Sequence, residues 1–356
     1  MPWNIINSVK TLPIKMGVGG TWIASGNTPT YNTTRLAKSN NGTSWNGISY
    51  PWTNDYYFND IAYGKDGAGN NLWVAVGIIT GAQLATSTDG TNWTKATPAA
   101  FGSGYGIAYG KDGSGVGLWV CACQTSGTTP GNSIATSPDG INWTGQGRKG
   151  FLYGASEIAY GKDGLGNGLW IASSESRIIK STNGTTWTTT YSIDYFSSIK
   201  TIKYGKNGAG TGLWILGGTG GYDIFVSSTN GGNTWSGNEG KNNFFSVNEV
   251  SYGKDGAGNG LWVAACGTLG ASPDKSVAIS SNGTTWTPVT INSTTIISNL
   301  KGVKYGKDDK GNGMWLAIGE GSNTIVKSIN GTNWTGAGYV FVFGTAIAFS
   351  EIIVPP

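Results

Sequence analysis

The chain has 356 residues, of which 60 are Gly, 16 Trp and none His, and its 23 Lys and Arg outnumber its 19 Asp and Glu for a net charge of +4. Charged residues make up only 12%, roughly half the share usual in a globular domain, and the lysines are spread along the chain, without the basic stripe of a nucleic-acid binder. The lack of histidine excludes Ser-His-Asp and Cys-His nucleophilic catalysis and most zinc or iron centres.

The N-terminal stretch MPWNIINSVKTLPIKMGVGG has no basic region followed by an apolar one, so no signal peptide is expected. No run of about 18 apolar residues follows anywhere, so no membrane insertion is expected. These features predict a cytoplasmic protein or one carried on a particle surface. The first strand-like segments are Ile14–Gly17 and the run after Trp22, joined by a short turn. The first tight hairpin is Ser39–Trp45, SNNGTSW.

The next unit is complete. Asn59–Gly64 reads as a short strand, and Lys65–Asn71 is turn chemistry, rich in Gly, Asp and Asn. Leu72–Val76 is a second strand of aromatic and β-branched residues. Gln83–Ser87 is a third, Thr88–Asn92 is a hairpin, and Trp93-Thr94 opens a fourth.

The same order then repeats. The turn and second strand recur as YGKDGxGxGLW at Tyr109–Trp119, Tyr160–Trp170 and Tyr252–Trp262, with variants at Tyr63–Trp73, Tyr204–Trp214 and Tyr305–Trp315. The hairpin phrase recurs at Ser87–Trp93, Ser137–Trp143, Ser181–Trp187, Ser228–Trp235, Ser280–Trp286 and Ser328–Trp334. Successive closing tryptophans lie 48, 50, 44, 48, 51 and 48 residues apart. A period of this length made of strands predicts a propeller or solenoid, because one unit cannot bury its own apolar face. Four antiparallel strands per unit favour the propeller. The fold expected over residues 1–356 is a single all-β, seven-bladed β-propeller of four-stranded antiparallel blades.

Eight candidate first strands exist for seven blades. Ile14–Gly17 resembles Ile202–Gly205, and Ala346–Phe349 resembles Gly106–Tyr109. The ring is therefore expected to close by pairing of N- and C-terminal segments, which hides the sheet edges. Which end supplies the strand is open at this point. Cys121, Cys123 and Cys266 occupy strand positions suited to small packing residues. A CxC pair without His is a poor zinc site, and no metal or cofactor is expected.

The hairpin phrase resembles the Asp-box, S-x-D-x-G-x-T-W, of BNR-repeat β-propellers. Ser228–Trp235 matches its spacing with Asn for Asp, and the other six copies are one residue shorter. The resemblance spans the whole chain and implies fold more than function. It implies a structural role for Ser39, Asn41, Trp45, Ser87, Asp89, Trp93, Ser137, Asp139, Trp143, Ser181, Asn183, Trp187, Ser228, Asn230, Trp235, Ser280, Asn282, Trp286, Ser328, Asn330 and Trp334. In that family the Ser and Asp side chains bond the hairpin backbone and the Trp packs between strands. Sialidase activity, known in the family, needs three arginines on the substrate carboxylate. This chain has only Arg35, Arg148 and Arg177, none in the family's Arg-Ile-Pro context, and no Tyr–Glu pair can be assigned.

Carboxylates off the repeat pattern are Asp55, Asp60, Glu157, Asp194, Asp223, Glu239, Glu249 and Glu320. A glycoside hydrolase or lyase would need two of them together, and the sequence singles out no pair. The repeated Asp-Gly turns at Asp66, Asp112, Asp163 and Asp255 offer one carboxylate each, too few for calcium.

The connectors leading into each first strand carry Tyr57 and Phe58, Phe101 and Tyr105, Phe151 and Tyr153, Tyr195 and Phe196, Phe244 and Phe245, and Phe341 and Phe343. Such rings suit either a ligand shelf or wedge packing between blades. The expected function is non-enzymatic recognition of a glycan or protein surface, with sevenfold repetition giving avidity. The alternative is a structural surface component of a virion or phage particle.

Overall fold

A computed structural model describes residues 19–350 apart from 28–34, 49–55, 80–81, 97–101, 125–130, 152–153, 221–222, 239–243, 268–275, 292–296 and 298. The described residues contain strands, turns and bends, with no helix among them. The N-terminal candidate strand Ile14–Gly17, Phe101, Tyr153, Asp55 and Glu239 lie outside the described residues.

The chain opens with β1 (Trp22–Asn27), β2 (Leu36–Ser39) and β3 (Asn46–Ile48). Four-stranded meanders follow: β4 (Tyr56–Lys65), β5 (Asn71–Ile79), β6 (Ala82–Ser87), β7 (Thr94–Ala96); β8 (Gly104–Lys111), β9 (Gly117–Cys123), β10 (Ile134–Ser137), β11 (Thr144–Gly145); and β12 (Glu157–Lys162), β13 (Gly168–Ser174), β14 (Arg177–Ser181), β15 (Thr188–Ser192). Then come β16 (Ser198–Lys206), β17 (Gly212–Thr219), β18 (Phe225–Ser228), β19 (Ser236–Gly237); β20 (Ser246–Lys254), β21 (Gly260–Gly267), β22 (Val277–Ser280), β23 (Thr287–Val289); and β24 (Asn299–Lys307), β25 (Gly313–Glu320), β26 (Ile325–Ser328), β27 (Thr335–Gly338). The last strand, β28 (Phe343–Phe349), lies antiparallel along β1, with Trp22 opposite Phe349 and Ala24 opposite Ile347. The C-terminal segment thus completes the meander that β1, β2 and β3 begin.

Hydrogen bonding groups these strands into three four-stranded sheets and two eight-stranded ones. Each eight-stranded sheet is two meanders touching through a single residue pair, Thr219 with Ser246 and Glu320 with Phe343. The first strands of successive meanders also pack against one another: β4 on β8, β8 on β12, β12 on β16, β16 on β20, β20 on β24, β24 on β28 and β28 on β4.

Two local devices recur. In the hairpin phrase, Ser87 Oγ donates to Asp89 Oδ1 (3.0 Å) and accepts the Gly90 N–H (2.8 Å). Asp89 Oδ1 also accepts the N–H groups of Thr91 (2.7 Å) and Asn92 (2.8 Å). Those bonds hold the Asp89 carboxyl well below the usual carboxylate range, the Asn92 N–H contributing most. Asn41, Asn183, Asn282 and Asn330 do the same with their amide oxygens, so Asn replaces Asp without loss of the fold. The hairpin Gly is needed twice over: Gly140 has φ +75°, and a Cβ there would lie 2.6 Å from Leu72 Cδ2. Because Ser87 is buried, Ser87→Ala would leave the Gly90 N–H without a partner. The expected cost is about 1–2 kcal/mol, read by urea denaturation.

The second device ties neighbours together. Trp170 Nε1 donates to the Lys111 carbonyl of the preceding meander (2.9 Å). Trp119, Trp214, Trp262 and Trp315 make the same bond to Lys65, Lys162, Lys206 and Lys254. Trp22 makes it to Lys307, 285 residues away (2.9 Å). Each of these indoles is buried, and a Tyr ring lies against most of them, as Tyr160 does on Trp170 at 4.7 Å between centroids. The repeated YGK…LW is therefore a latch between meanders: the strand-two Trp of one reaches the turn Lys carbonyl of the other.

Candidate functional site

The first strands face one another around a cavity of about 390 Å³. Their residues can be counted back from the repeated aromatic that ends each one (Tyr63, Tyr109, Tyr160, Tyr204, Tyr252, Tyr305 and Phe349). One residue before it stand Ala62, Ala108, Ala159, Lys203, Ser251, Lys304 and Ala348. Three before it stand Asp60, Gly106, Glu157, Thr201, Glu249, Gly302 and Ala346. The small residues leave the space, and the five charged ones fill it.

Lys203 is the hub. Its Nζ lies 2.8 Å from Glu157 Oε1 and 2.9 Å from Glu249 Oε1. The two oxygens can thus be no farther apart than those two bonds laid end to end. Thr201 Oγ1 donates to Glu249 Oε1 (3.3 Å). Asp60 accepts the N–H groups of Ile61 (2.8 Å) and Ile107 (2.9 Å). Burial pushes the Asp60 carboxyl up to about 6, against the pull of Lys203 and the Ile107 N–H. Burial pushes Glu157 further, to about 8, against the Lys203 charge. Burial also opposes the charge on Lys203, but Glu157, Glu249 and Asp60 outweigh it and hold the ammonium above its ordinary range. Lys304 has no such bridge, and burial followed by repulsion from Lys203 lowers it.

A carboxyl raised in the folded state holds a proton that the unfolded chain has lost, so its contribution falls as pH rises between the two values. Stability should therefore decline from about pH 4.5 to about pH 8 by the Glu157 contribution. Glu157→Gln is expected to flatten that slope in a pH series of urea unfolding. An unchanged slope would remove Glu157 as its source.

Of the carboxylates singled out by sequence, Asp60, Glu157 and Glu249 come together here, while Asp194, Asp223 and Glu320 do not line the cavity. Lys203 and Lys304 were not among the sequence candidates. Their signal is their offset: both stand one residue before the repeat Tyr, where four other strands carry Ala.

The connector aromatics divide. Phe58, Phe151, Phe196, Phe244 and Phe341 are buried, each within an apolar cluster joining two meanders. This corrects the ligand-shelf reading for these five: the wedge between diverging sheets needs a large apolar filler. Tyr105, Tyr195 and Phe343 are half-buried, with Tyr105 lining the central cavity. Phe245 is 60% exposed. Phe101, Tyr153 and the side chain of Tyr57 are outside the described residues.

The opposite end of the meanders carries the Lys-Asp turns and the hairpin phrases. Each hairpin sits over a turn of the preceding meander; Asn183 Cβ lies 3.3 Å from where a side chain at Gly113 would begin. A groove of about 1380 Å³ runs between the β20–β21 and β24–β25 turns and the hairpins beyond them. Lys254, Lys307, Asn312, Ile329, Asn333 and Asn41 line it, and Ile329 is 69% exposed. The turn carboxylates are occupied. Asp66 accepts from Ala68 N, Asn70 N and Asn70 Nδ2 (2.8–3.0 Å), as expected of a turn. Among the described residues no three His, Cys, Asp or Glu side chains gather as a metal site, and no helix is long and apolar enough to cross a membrane. Cys121, Cys123 and Cys266 are free and buried.

No protein-family model matches the chain, and no curated protein matches it in sequence. Its structure resembles that of a GH74 enzyme from Niastella koreensis, with 15% identity, a TM-score of 0.55, 94% of this chain covered and 54% of that one. The chain thus spans about half the length of that enzyme. It resembles YCF48 bound to D1 peptide, at 15% identity and a TM-score of 0.50, covering 88% of this chain and 85% of the other. It also resembles YCF48 from Cyanidioschyzon merolae, at 16% identity and a TM-score of 0.50, covering 84% and 94%. At such identities the likeness speaks for architecture alone. Repeating antiparallel meanders and these β-propeller neighbours together give the chain a β-propeller fold.

Proposed function

We propose that the chain is a seven-bladed β-propeller of the Asp-box type that works as a non-catalytic recognition module and takes a glycan in its turn-end groove. The blade count rests on the unbroken cycle of first-strand contacts and on the Trp22–Lys307 latch, which joins the last turn to the first strand. The observation that carries the function is the groove itself. At about 1380 Å³ it is large enough for several sugar rings, and it presents Asn333, Lys254 and Lys307 beside Asn41 and Asn312, whose amides also bond within their own hairpin and turn. Amide and ammonium groups beside an exposed apolar side chain suit the hydroxyls and ring faces of a sugar.

Catalysis is argued against by the bonding of the carboxylates and not by their protonation, since Glu157, protonated up to about 8, has the charge state of a general acid. A glycosidase needs one free acid and one free base. Here Glu157 and Glu249 share Lys203, and Asp60 is held by two backbone N–H groups.

A glycan array with the intact protein tests the reading. Saturable binding to a defined set of sugars is expected. A blank array together with binding to a peptide array would move the groove to a protein partner, and release of reducing sugar from a bound glycan would overturn the non-catalytic assignment.

A further inference from the structure

The central cavity contains a second demand for a ligand, independent of the groove. Each of its carboxylates is answered from within the protein. Lys203 answers Glu157 and Glu249, and the Ile61 and Ile107 N–H groups answer Asp60. Lys304 is different: it lines the same cavity but has no hydrogen-bond or ion-pair partner among the described residues. Lys304 is partly exposed at this half-open polar cavity, so its ammonium can take an acceptor from outside the protein. Lys200 and Lys301, both four residues before their repeat Tyr, line the same space; Lys200 is exposed, and Lys301 is paired with Glu320 at 3.9 Å. The six lining positions filled by Ala or Gly (Ala62, Ala108, Ala159, Gly302, Ala346 and Ala348) keep the volume open at about 390 Å³, within the lower range of small-molecule pockets.

We infer that the central cavity is a binding site for a small organic acid, whose carboxylate is taken by Lys304. A single negative charge is the right match. One ammonium is unanswered, while Glu249 and Asp60 stand nearby, and a dianion such as phosphate would meet them with charge to spare. Glu157 fits the same picture, since burial keeps it protonated up to about 8 and it then offers an O–H in place of a repelling charge. Binding also has a proton signature. In the empty site, burial and Lys203 favour the neutral amine at Lys304, with Asp60, Glu157 and Glu249 opposing. A bound carboxylate favours the ammonium, so binding raises the pH at which Lys304 loses its proton.

The test is calorimetric titration of the full chain with sodium lactate, with inorganic phosphate as the second probe. One saturable lactate site per chain is expected. Lys304→Met should weaken lactate binding roughly tenfold to a hundredfold, the loss of one charge-assisted hydrogen bond, and Lys304→Arg should restore most of it. If Lys304→Met fails to fold, Lys304→Gln, which also removes the charge, stands in its place. Absence of lactate binding, equal binding by Lys304→Met, or preference for phosphate would each overturn the assignment. None of these outcomes depends on the turn-end groove.

Discussion

Replacing Lys203 with Met is expected to cost about 3 kcal/mol at neutral pH, because breaking one partner out of a buried ion cluster leaves the others uncompensated. Lys203 is the only cation bonded to Glu157 and Glu249 among the described residues. The side chains of Lys203 and Glu249 keep 26% and 23% of their surface, which places the cost toward the lower end for buried clusters. The variant should regain stability as pH falls and the carboxyls take up protons, opposite to a simple loss of packing. Adding Glu157→Gln and Glu249→Gln should recover much of the deficit, Glu249→Gln by removing a stranded charge and Glu157→Gln by keeping neutral a group already protonated below about pH 8. Urea unfolding of the single and triple variants reads both effects. A single variant within about 0.5 kcal/mol of wild type, the scatter of ordinary surface changes, would mean that the cluster carries no stability.

Trp170→Ala should cost still more, about 3–5 kcal/mol, as is usual for truncating a fully buried Trp. The informative comparison is Trp170→Phe. Phe keeps most of the apolar surface against Tyr160 but loses the bond to Lys111 of the neighbouring meander. Because Lys111 is exposed and the bond only partly buried, its loss should cost about 0.5–1.5 kcal/mol, the net worth of a typical hydrogen bond. The same substitution at Trp22 removes the bond to Lys307 and should loosen the junction between the two ends of the chain. Stability of Trp170→Phe equal to wild type would show that these tryptophans act by volume alone.

The repeating strands, turns and hairpins were legible in the sequence because their causes are local. Gly at positive φ, Asp or Asn bonding its own turn, and a Trp every 48 or so residues all sit within one short segment. Which end supplies the closing strand was not, because Ile14–Gly17 and Ala346–Phe349 read alike in sequence, and the role of Ala346–Phe349 shows only in its long-range pairing with β1. The connector aromatics were visible as residues but not as surfaces. A ring in a connector suits a wedge or a shelf equally well, and Phe244 and Phe245 take opposite fates side by side. At the axis, Asp60, Glu157 and Glu249 stood out as off-pattern acids. Their shared offset from the repeat Tyr was the missing step, since equal offsets place side chains at one level of a ring. The same count would have found Lys203 and Lys304, which otherwise look like ordinary strand lysines.

The measurement that tests the recognition account most directly compares two exposed-surface variants on one glycan array. Ile329→Ser with Asn333→Ala alters the turn-end groove, and Phe245→Ser alters the connector end. All three side chains are exposed, so both proteins should fold like wild type. The account predicts that the groove variant loses binding while Phe245→Ser retains it. Loss with Phe245→Ser and full binding by the groove variant would place recognition at the connector end and contradict it.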